Sequence, residues 1–97
     1  MPHYISLVRY TQKGMENIKQ SPSRLEFVRN AWKTAGGKMV AFYLTMGQYD
    51  AVLISEFPND ETAAKAALAT GVQGNVRTES LRAFTEDEFK KLVAGMP

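Results

Sequence analysis

The fold is decided by residues 38–57, which read KMVAFYLTMGQYDAVLISEF. Two runs within it, 39–44 and 51–54, are apolar without interruption and rich in the β-branched and aromatic side chains that favour strands. Gly47–Gln48 between them suits a two-residue hairpin turn that begins with glycine. The strands that this pattern predicts are 38–46 and 49–57.

The predicted elements on either side of this hairpin are strands and helices in alternation. Ser21–Pro22 begins a helix, with serine as the N-cap and proline at the first helical position, and Gly36–Gly37 ends it. Thr85 and Glu88 have the spacing of a capping box, which starts a further short helix. The other strands are predicted at 3–10 and 74–84, and the helices at 21–35, 58–70 and 85–93.

This order, β-α-β-β-α-β followed by a C-terminal helix, is typical of the ferredoxin-like fold. It predicts a single α+β domain over residues 1–97, in which a four-stranded antiparallel sheet carries both long helices on one face. Phe27, Val28 and Trp32 fall on the apolar face of the first helix. We expect these three, and Leu68 of the second helix, to lie between the helices and the sheet.

The second face of the sheet is also expected to be buried. A strand with one solvent-exposed face alternates apolar and polar residues, and the two strands of the hairpin lack this alternation. Leaving Ala41, Tyr43, Ala51 and Leu53 in water would forfeit several kcal/mol at roughly 25 cal/mol per Å² of apolar area. The simplest cover is the same face of a second copy, so we predict a homodimer through the sheet, a dimeric α+β barrel. The alternative is that these four are scattered surface residues.

Composition excludes several classes of protein. The chain has no cysteine and one histidine, which excludes disulfide frameworks, zinc knuckles and thiol nucleophiles, and we expect no metal and no cofactor. The formal net charge of +2 is too small to indicate binding to nucleic acid. The longest apolar run is far shorter than the ~20 residues of a membrane helix, and no signal peptide is recognisable. We therefore expect a soluble, cytoplasmic protein.

The motif Gly47-Gln-Tyr-Asp50 is one of several short blocks whose order and spacing are distinctive as a set. The other blocks are Ser21–Pro22, Gly36–Gly37–Lys38, residues 74–78 and residues 81–84. Together they resemble the GYD-domain family of small bacterial and archaeal proteins, and the resemblance extends over about residues 3–93 without gaps. It implies a dimeric α+β barrel and a family without an established activity.

Tyr49 and Asp50, directly after the turn, allow two interpretations. In the first, Asp50 is a general base or a cation ligand, and Tyr49 is a neighbouring hydrogen-bond donor. In the second, Asp50 accepts hydrogen bonds from the backbone of the turn and Tyr49 packs across the hairpin. Asp beside a glycine turn is common for local hydrogen-bonding reasons, which favours the second interpretation and leaves Asp50 a weak candidate for catalysis.

The side chains that are candidates for binding a ligand are Tyr10, Tyr43, Tyr49, Asp50, Thr78 and Arg82. A tyrosine lining with few polar groups suits an aromatic or carbonyl-bearing molecule, although tyrosine is also common at dimer interfaces. Arg82 lies on an edge strand of the fold, where two roles compete. It holds either a carboxylate or carbonyl of a ligand, or an acidic group of a second subunit.

These features favour a homodimeric protein that binds a small metabolite without catalysis, because the sequence offers no cluster of titratable groups. The alternative is a cofactor-independent oxygenase or isomerase that acts on a small activated aromatic compound or lactone, with Asp50 or His3 as the base. In either case the expected partners are a second copy of the chain and a small molecule, and neither nucleic acid nor a membrane.

Overall fold

Four strands form one antiparallel sheet in the order β2-β3-β1-β4. The computed structural model describes all residues, 1–97. Its elements are β1 (His3–Tyr10), α1 (Gln12–Glu16), a 3-10 turn (Ile18–Gln20), α2 (Ser21–Thr34), β2 (Lys38–Leu44), β3 (Ala51–Glu56), α3 (Asp60–Val72), β4 (Val76–Ala83) and α4 (Glu86–Ala94). This confirms the predicted α+β fold of ferredoxin-like type, with the sheet order that split β-α-β units require.

β1 lies in the middle of the sheet and sets the character of its two faces. Tyr4, Ser6 and Val8 are buried beneath the helices, whereas Ile5 and Leu7, which alternate with them, lie half-buried on the opposite face. We call this opposite side the open face. It carries apolar residues from a central strand.

β3 alternates in the same way, but in the opposite phase to the one predicted. Ala51 and Leu53 are buried on the helix side, and Val52 and Ile54 belong to the open face. The assignment of Ala51 and Leu53 to the open face was therefore wrong. Directly opposed residues of an antiparallel pair share a face, and the residue opposite Tyr43 is Val52.

The hairpin between β2 and β3 is wider than a two-residue turn. The strand ladder ends at Leu44 opposite Ala51, and the connection spans residues 45–50. Gly47 has φ +129°, which only glycine adopts readily, so its place in the turn is correct although the turn type was wrong. The extra length carries Tyr49 and Asp50 out of the strand and into the loop.

α2 begins at Ser21, as predicted, but without the predicted side-chain cap. Ser21 is already helical, and the preceding Gln20 makes no side-chain capping bond, so the prediction of Ser21 as N-cap was wrong. The 3-10 turn runs directly into the helix, which leaves the Ser21 hydroxyl free to pair with the Tyr10 hydroxyl at 2.9 Å. At the other end Gly36, with φ +88°, terminates the helix as predicted.

The core lies where α2, β1 and the end of β3 meet. Trp32 packs edge-on against Phe57 with ring centroids 5.3 Å apart, and Val28 packs on the same cluster, both as predicted. Phe27 and Leu68 are 64% and 70% exposed, so their assignment to the core was wrong. The cluster consists of Tyr4, Trp32, Met39, Leu53, Phe57 and Ala66.

α3 faces the sheet with its small residues. Ala63, Ala66 and Ala67 recur at the i, i+3, i+4 spacing of one helix face, which turns Leu68 outward. α3 packs mainly on β4, while α2 packs mainly on β2, so the two helices stand apart above the sheet. Alanine side chains are too short to close the space beneath them, and a cavity results.

α4 has the predicted capping box but little contact with its own chain. Thr85 and Glu88 exchange side-chain-to-backbone hydrogen bonds in both directions. Phe89, Leu92 and Val93 form an apolar stripe that is half exposed or more. None of the helices is long and apolar enough to cross a membrane.

Candidate functional site

The candidate site is the cavity between the two long helices and the sheet. It has a volume of about 320 Å³, at the lower end of the ~300–1,000 Å³ of small-molecule sites. Ala63, Ala64 and Ala67 of α3 form one wall, and Leu25, Val28 and Trp32 of α2 form the other. Its floor is the helix-facing side of the sheet, whose β1 and β4 residues in the lining are Tyr4, Ser6, Val8, Tyr10, Val76, Thr78, Ser80 and Arg82.

One end of the cavity holds a cluster of three polar side chains, which come from β1, α3 and β4. The Tyr4 hydroxyl donates to Asp60 Oδ1 at 2.5 Å, and Arg82 Nε lies 4.0 Å from the same oxygen. Burial of the phenol raises the pKa of Tyr4 to about 12; the hydrogen bond to Asp60 and its charge add to this, and Arg82 opposes it. Tyr4 is therefore a neutral hydrogen-bond donor at physiological pH, already committed to Asp60.

The middle of the cavity is apolar, with a row of hydroxyls on its floor. Ser6 and Ser80 are hydrogen-bonded to each other at 3.1 Å across the β1–β4 pair, and Ser55 is 1% exposed. Leu53 and Trp32 supply the apolar surface around them. Hydroxyls in such a setting orient a ligand by hydrogen bonds but do not act as bases near neutral pH.

The opposite end lies where β1 leaves the sheet and α2 begins. The Tyr10–Ser21 hydroxyl pair lines it, together with Arg24 and Asn75. Arg24 Nη1 donates to the backbone carbonyl of Asn17 at 3.2 Å. No acidic side chain lines this end, since Asp60 is the only carboxylate in the cavity wall and it pairs with Tyr4 at the other end.

Three of the predicted binding residues line the cavity and three do not. Tyr10, Thr78 and Arg82 are in its wall. Val76 and Ser80, which lie on the same face of β4 as Thr78 and Arg82, are there too. Tyr43 is 61% exposed on the open face. Tyr49 and Asp50 belong to the hairpin loop, outside the cavity.

Asp50 fastens that loop to the end of β1. Its Oδ2 accepts a hydrogen bond from the backbone N–H of Tyr10 at 2.9 Å, and its own N–H donates to the Val8 carbonyl at 2.8 Å. The carboxylate thus serves the backbone, as the structural interpretation expects, but its partner is the neighbouring strand rather than the turn itself. A local-turn argument cannot find a partner 40 residues away in sequence.

Tyr49 ties the same loop to β4. Its hydroxyl donates to Glu79 Oε2 at 2.8 Å, and this hydrogen bond is the main reason that the pKa of Tyr49 is raised. The Arg9 guanidinium lies 4.7 Å from the centre of the ring. The loop is therefore bound to the central strand β1 by Asp50 and to the edge strand β4 by Tyr49.

Tyr4, Arg24 and Asp60 are site residues that the sequence analysis did not select. Tyr4 shares the parity of Tyr10 on β1, which is a usable signal. Arg24 precedes Val28 by one helical turn and so lies on the inward face, although its charge suggests a solvated position. Asp60 gave no signal beyond its place at the start of a helix.

The comparisons with known proteins decide the family. The model of the GYD domain matches residues 4–93. The chain belongs to the GYD-domain family. A curated relative is 33% identical over 85 residues, which cover 87% of this chain and 90% of the relative. That relative is the glutamine synthetase and cystathionine beta-lyase binding protein of Thermus thermophilus. No solved structure matches this GYD-domain protein.

In the structure, the motif of this GYD-domain protein has a structural role. Gly47 allows the chain to reverse, Tyr49 reaches β4 and Asp50 holds the end of β1. Tyr10, whose backbone Asp50 binds, also lines the cavity with its hydroxyl. The motif therefore supports the site from outside.

Proposed function

We propose that this GYD-domain protein is a non-catalytic binding protein that holds a small aromatic or carbonyl-bearing metabolite in the cavity between its helices and sheet. The observation that carries the proposal is the cavity itself, which combines an apolar middle with polar groups at both ends. Sites for small molecules have this composition, because apolar surface supplies affinity and a few polar groups fix the orientation.

The lining favours binding over catalysis. It contains no histidine, lysine, cysteine or glutamate, and its one carboxylate, Asp60, accepts the Tyr4 hydrogen bond. A cofactor-independent oxygenase or isomerase needs a base within reach of its substrate. Asp50 and His3, the two candidates for that base, both lie outside the cavity wall.

The test is a thermal-shift screen of small metabolites against the wild type and two variants of α3. A ligand present at 100 times its Kd should stabilise the fold by about 2.7 kcal/mol and raise Tm. Ala67→Leu should narrow the cavity and reduce the shift, whereas Ala69→Leu, at an exposed position of the same helix outside the cavity wall, should keep it. Retention of the full shift by Ala67→Leu would show that the ligand binds elsewhere.

A homodimer through the open face belongs to the same proposal. Ile5, Leu7, Val52 and Ile54 are only half-buried in the single chain, and Tyr43 lies beside them. They form a continuous apolar surface across three strands, and at roughly 25 cal/mol per Å² its burial would favour association. A second copy offers the same surface, which makes a symmetric contact possible.

Binding to a metabolic enzyme is a second candidate function, and the relative's name is what supports it. That relative is named for binding glutamine synthetase and cystathionine beta-lyase, and the alignment covers 87% of this chain and 90% of the relative. We propose that this chain likewise binds a protein. Surface plasmon resonance on the immobilised protein, with purified glutamine synthetase and cystathionine beta-lyase as analytes, tests it. Absence of a signal from both enzymes would contradict it.

A further inference from the structure

Arg24 carries hydrogen-bonding capacity that the chain does not use. Its Nη1 donates to the Asn17 carbonyl, but its Nη2 is buried and has no hydrogen-bond partner. No carboxylate of the chain pairs with this guanidinium. A buried charged donor without an acceptor is unfavourable. Because Arg24 is one of the residues that line the cavity, a ligand bound there can supply the acceptor.

The helix that carries Arg24 adds to the unbalanced positive charge. Arg24 lies near the start of α2, and the first turn of α2 contains no acidic residue. The N-terminus of a helix bears the positive end of the helix dipole, which disfavours a cation and favours an anion. The guanidinium and the helix therefore present positive potential to the same end of the cavity, where no acidic side chain offsets it.

The two hydroxyls beside Arg24 leave one more donor free. Tyr10 and Ser21 are 2.9 Å apart, and only one of them can donate in the bond between them. The hydrogen of the other hydroxyl is then available to a ligand. Arg24 Nη2 and this hydroxyl make two donors of a kind that two oxygens of one anionic group accept.

We infer that this end of the cavity binds the carboxylate of a small organic acid, whose apolar body lies along Leu25, Val28 and Trp32. The inference rests on the proposed function, since it names the ligand class of the same cavity. One free guanidinium nitrogen and one hydroxyl suit a singly charged carboxylate better than a dianionic phosphate.

The test compares acids with their neutral amides. The probes are 3-phenylpropionate and hexanoate, each paired with its primary amide, and Kd is measured by protein-observed NMR titration near neutral pH. The wild type should bind each acid about tenfold or more tightly than its amide, the effect expected of a charged hydrogen bond. Arg24→Met should lose this preference by weakening the acids alone, and Arg24→Lys should recover part of it.

Arg29→Met is the matched control. Arg29 lies on the same helix but outside the cavity, where it pairs with Glu26, so this variant should keep the wild-type preference. Equal binding of acid and amide by the wild type would overturn the carboxylate assignment and leave the cavity as a ligand site; this comparison needs no variant. Binding of no probe at millimolar concentration would overturn the proposed function as well. An acid preference that survives in Arg24→Met would show that the anion binds elsewhere and would overturn the assignment to Arg24.

Discussion

Two side chains of the hairpin loop bind groups that are distant in sequence. Asp50 holds the N–H of Tyr10 and Tyr49 reaches Glu79, so the loop between β2 and β3 is bound to the two strands that it does not connect. Hydrogen bonds that a carboxylate accepts from a backbone N–H stabilise more than neutral ones do. The loop that carries the motif is therefore a fixed part of the fold.

Replacing Asp50 tests this structural role. Asp50→Ala removes the acceptor of the Tyr10 N–H and should lower the free energy of unfolding by about 1–2 kcal/mol. Asp50→Asn keeps an acceptor oxygen and should be milder. Thermal melts of both variants measure the difference, and equal losses would show that the charge rather than the hydrogen bond matters.

Tyr4 makes stability depend on pH in the alkaline range. Its pKa is about 12 in the folded chain against 10.0 for an ordinary tyrosine, so the folded state holds the phenol proton more tightly. The resulting stabilisation is fully present below pH 10 and is lost as the pH rises toward 12. Ultraviolet titration should find one tyrosine that ionises last and that disappears in Tyr4→Phe. Loss in Tyr4→Phe of a tyrosine that ionises near the ordinary pKa of 10.0, rather than of the last one, would contradict the burial of this hydroxyl.

At the scale of elements, the two faces of α2 differ sharply in how much their side chains contribute to the stability of the fold. Trp32 lies against Phe57 in the core, whereas Phe27 on the flank of the same helix is largely exposed. Trp32→Ala should cost about 3–5 kcal/mol, and Phe27→Ala should cost far less, because truncating an exposed side chain leaves no cavity. Urea unfolding measures both, and similar losses would place Phe27 in the core after all.

The strands were easier to predict than the rotation of the helices. Alternation puts Thr78 and Arg82 on one face of β4 from the sequence alone, and the structure finds both of them, with Tyr10 of β1, in the cavity wall. In α3, alanine occurs on nearly every side, so hydrophobicity cannot tell which side faces the sheet. The predicted burial of Leu68 failed for that reason.

The ends of the site could not be predicted by any local rule. Tyr4 meets Asp60 across 56 residues of sequence, and their hydrogen bond depends on where α3 starts relative to β1. The unpartnered nitrogen of Arg24 is visible only once the whole wall is in place. Alternation shows which residues of one strand share a face, whereas the identity of that face and the partners of each residue depend on the packing of distant elements.

At the scale of the whole molecule, the free chain is extended for its length. Its radius of gyration is 14.6 Å, against about 12–13 Å for a compact domain of this size. The open face and the apolar stripe of α4 are both uncovered in the single chain. Both features agree with the proposed association of two copies.

Tyr43→Arg tests that association. The wild type should scatter light as a dimer at micromolar concentration, and the variant, which places a charge in the proposed interface, should be a folded monomer. Leu53→Arg is unsuitable, because Leu53 lies in the core. Val72→Arg is the control, since Val72 is 85% exposed at the end of α3 on the other side of the molecule. A monomeric wild type would contradict the dimer.

α4 also has a consequence for dynamics. A helix of nine residues is too short to persist in water on its own, and in the single chain α4 has little to pack against. In the single chain, its backbone amides should then exchange with deuterium almost as fast as those of an unfolded peptide. They should exchange more slowly once the apolar stripe of α4 packs against a second copy of the chain. β1, paired on both edges, should stay protected in either state. The ratio of the exchange rates of α4 and β1 would report the fraction of the protein in which α4 is packed in this way.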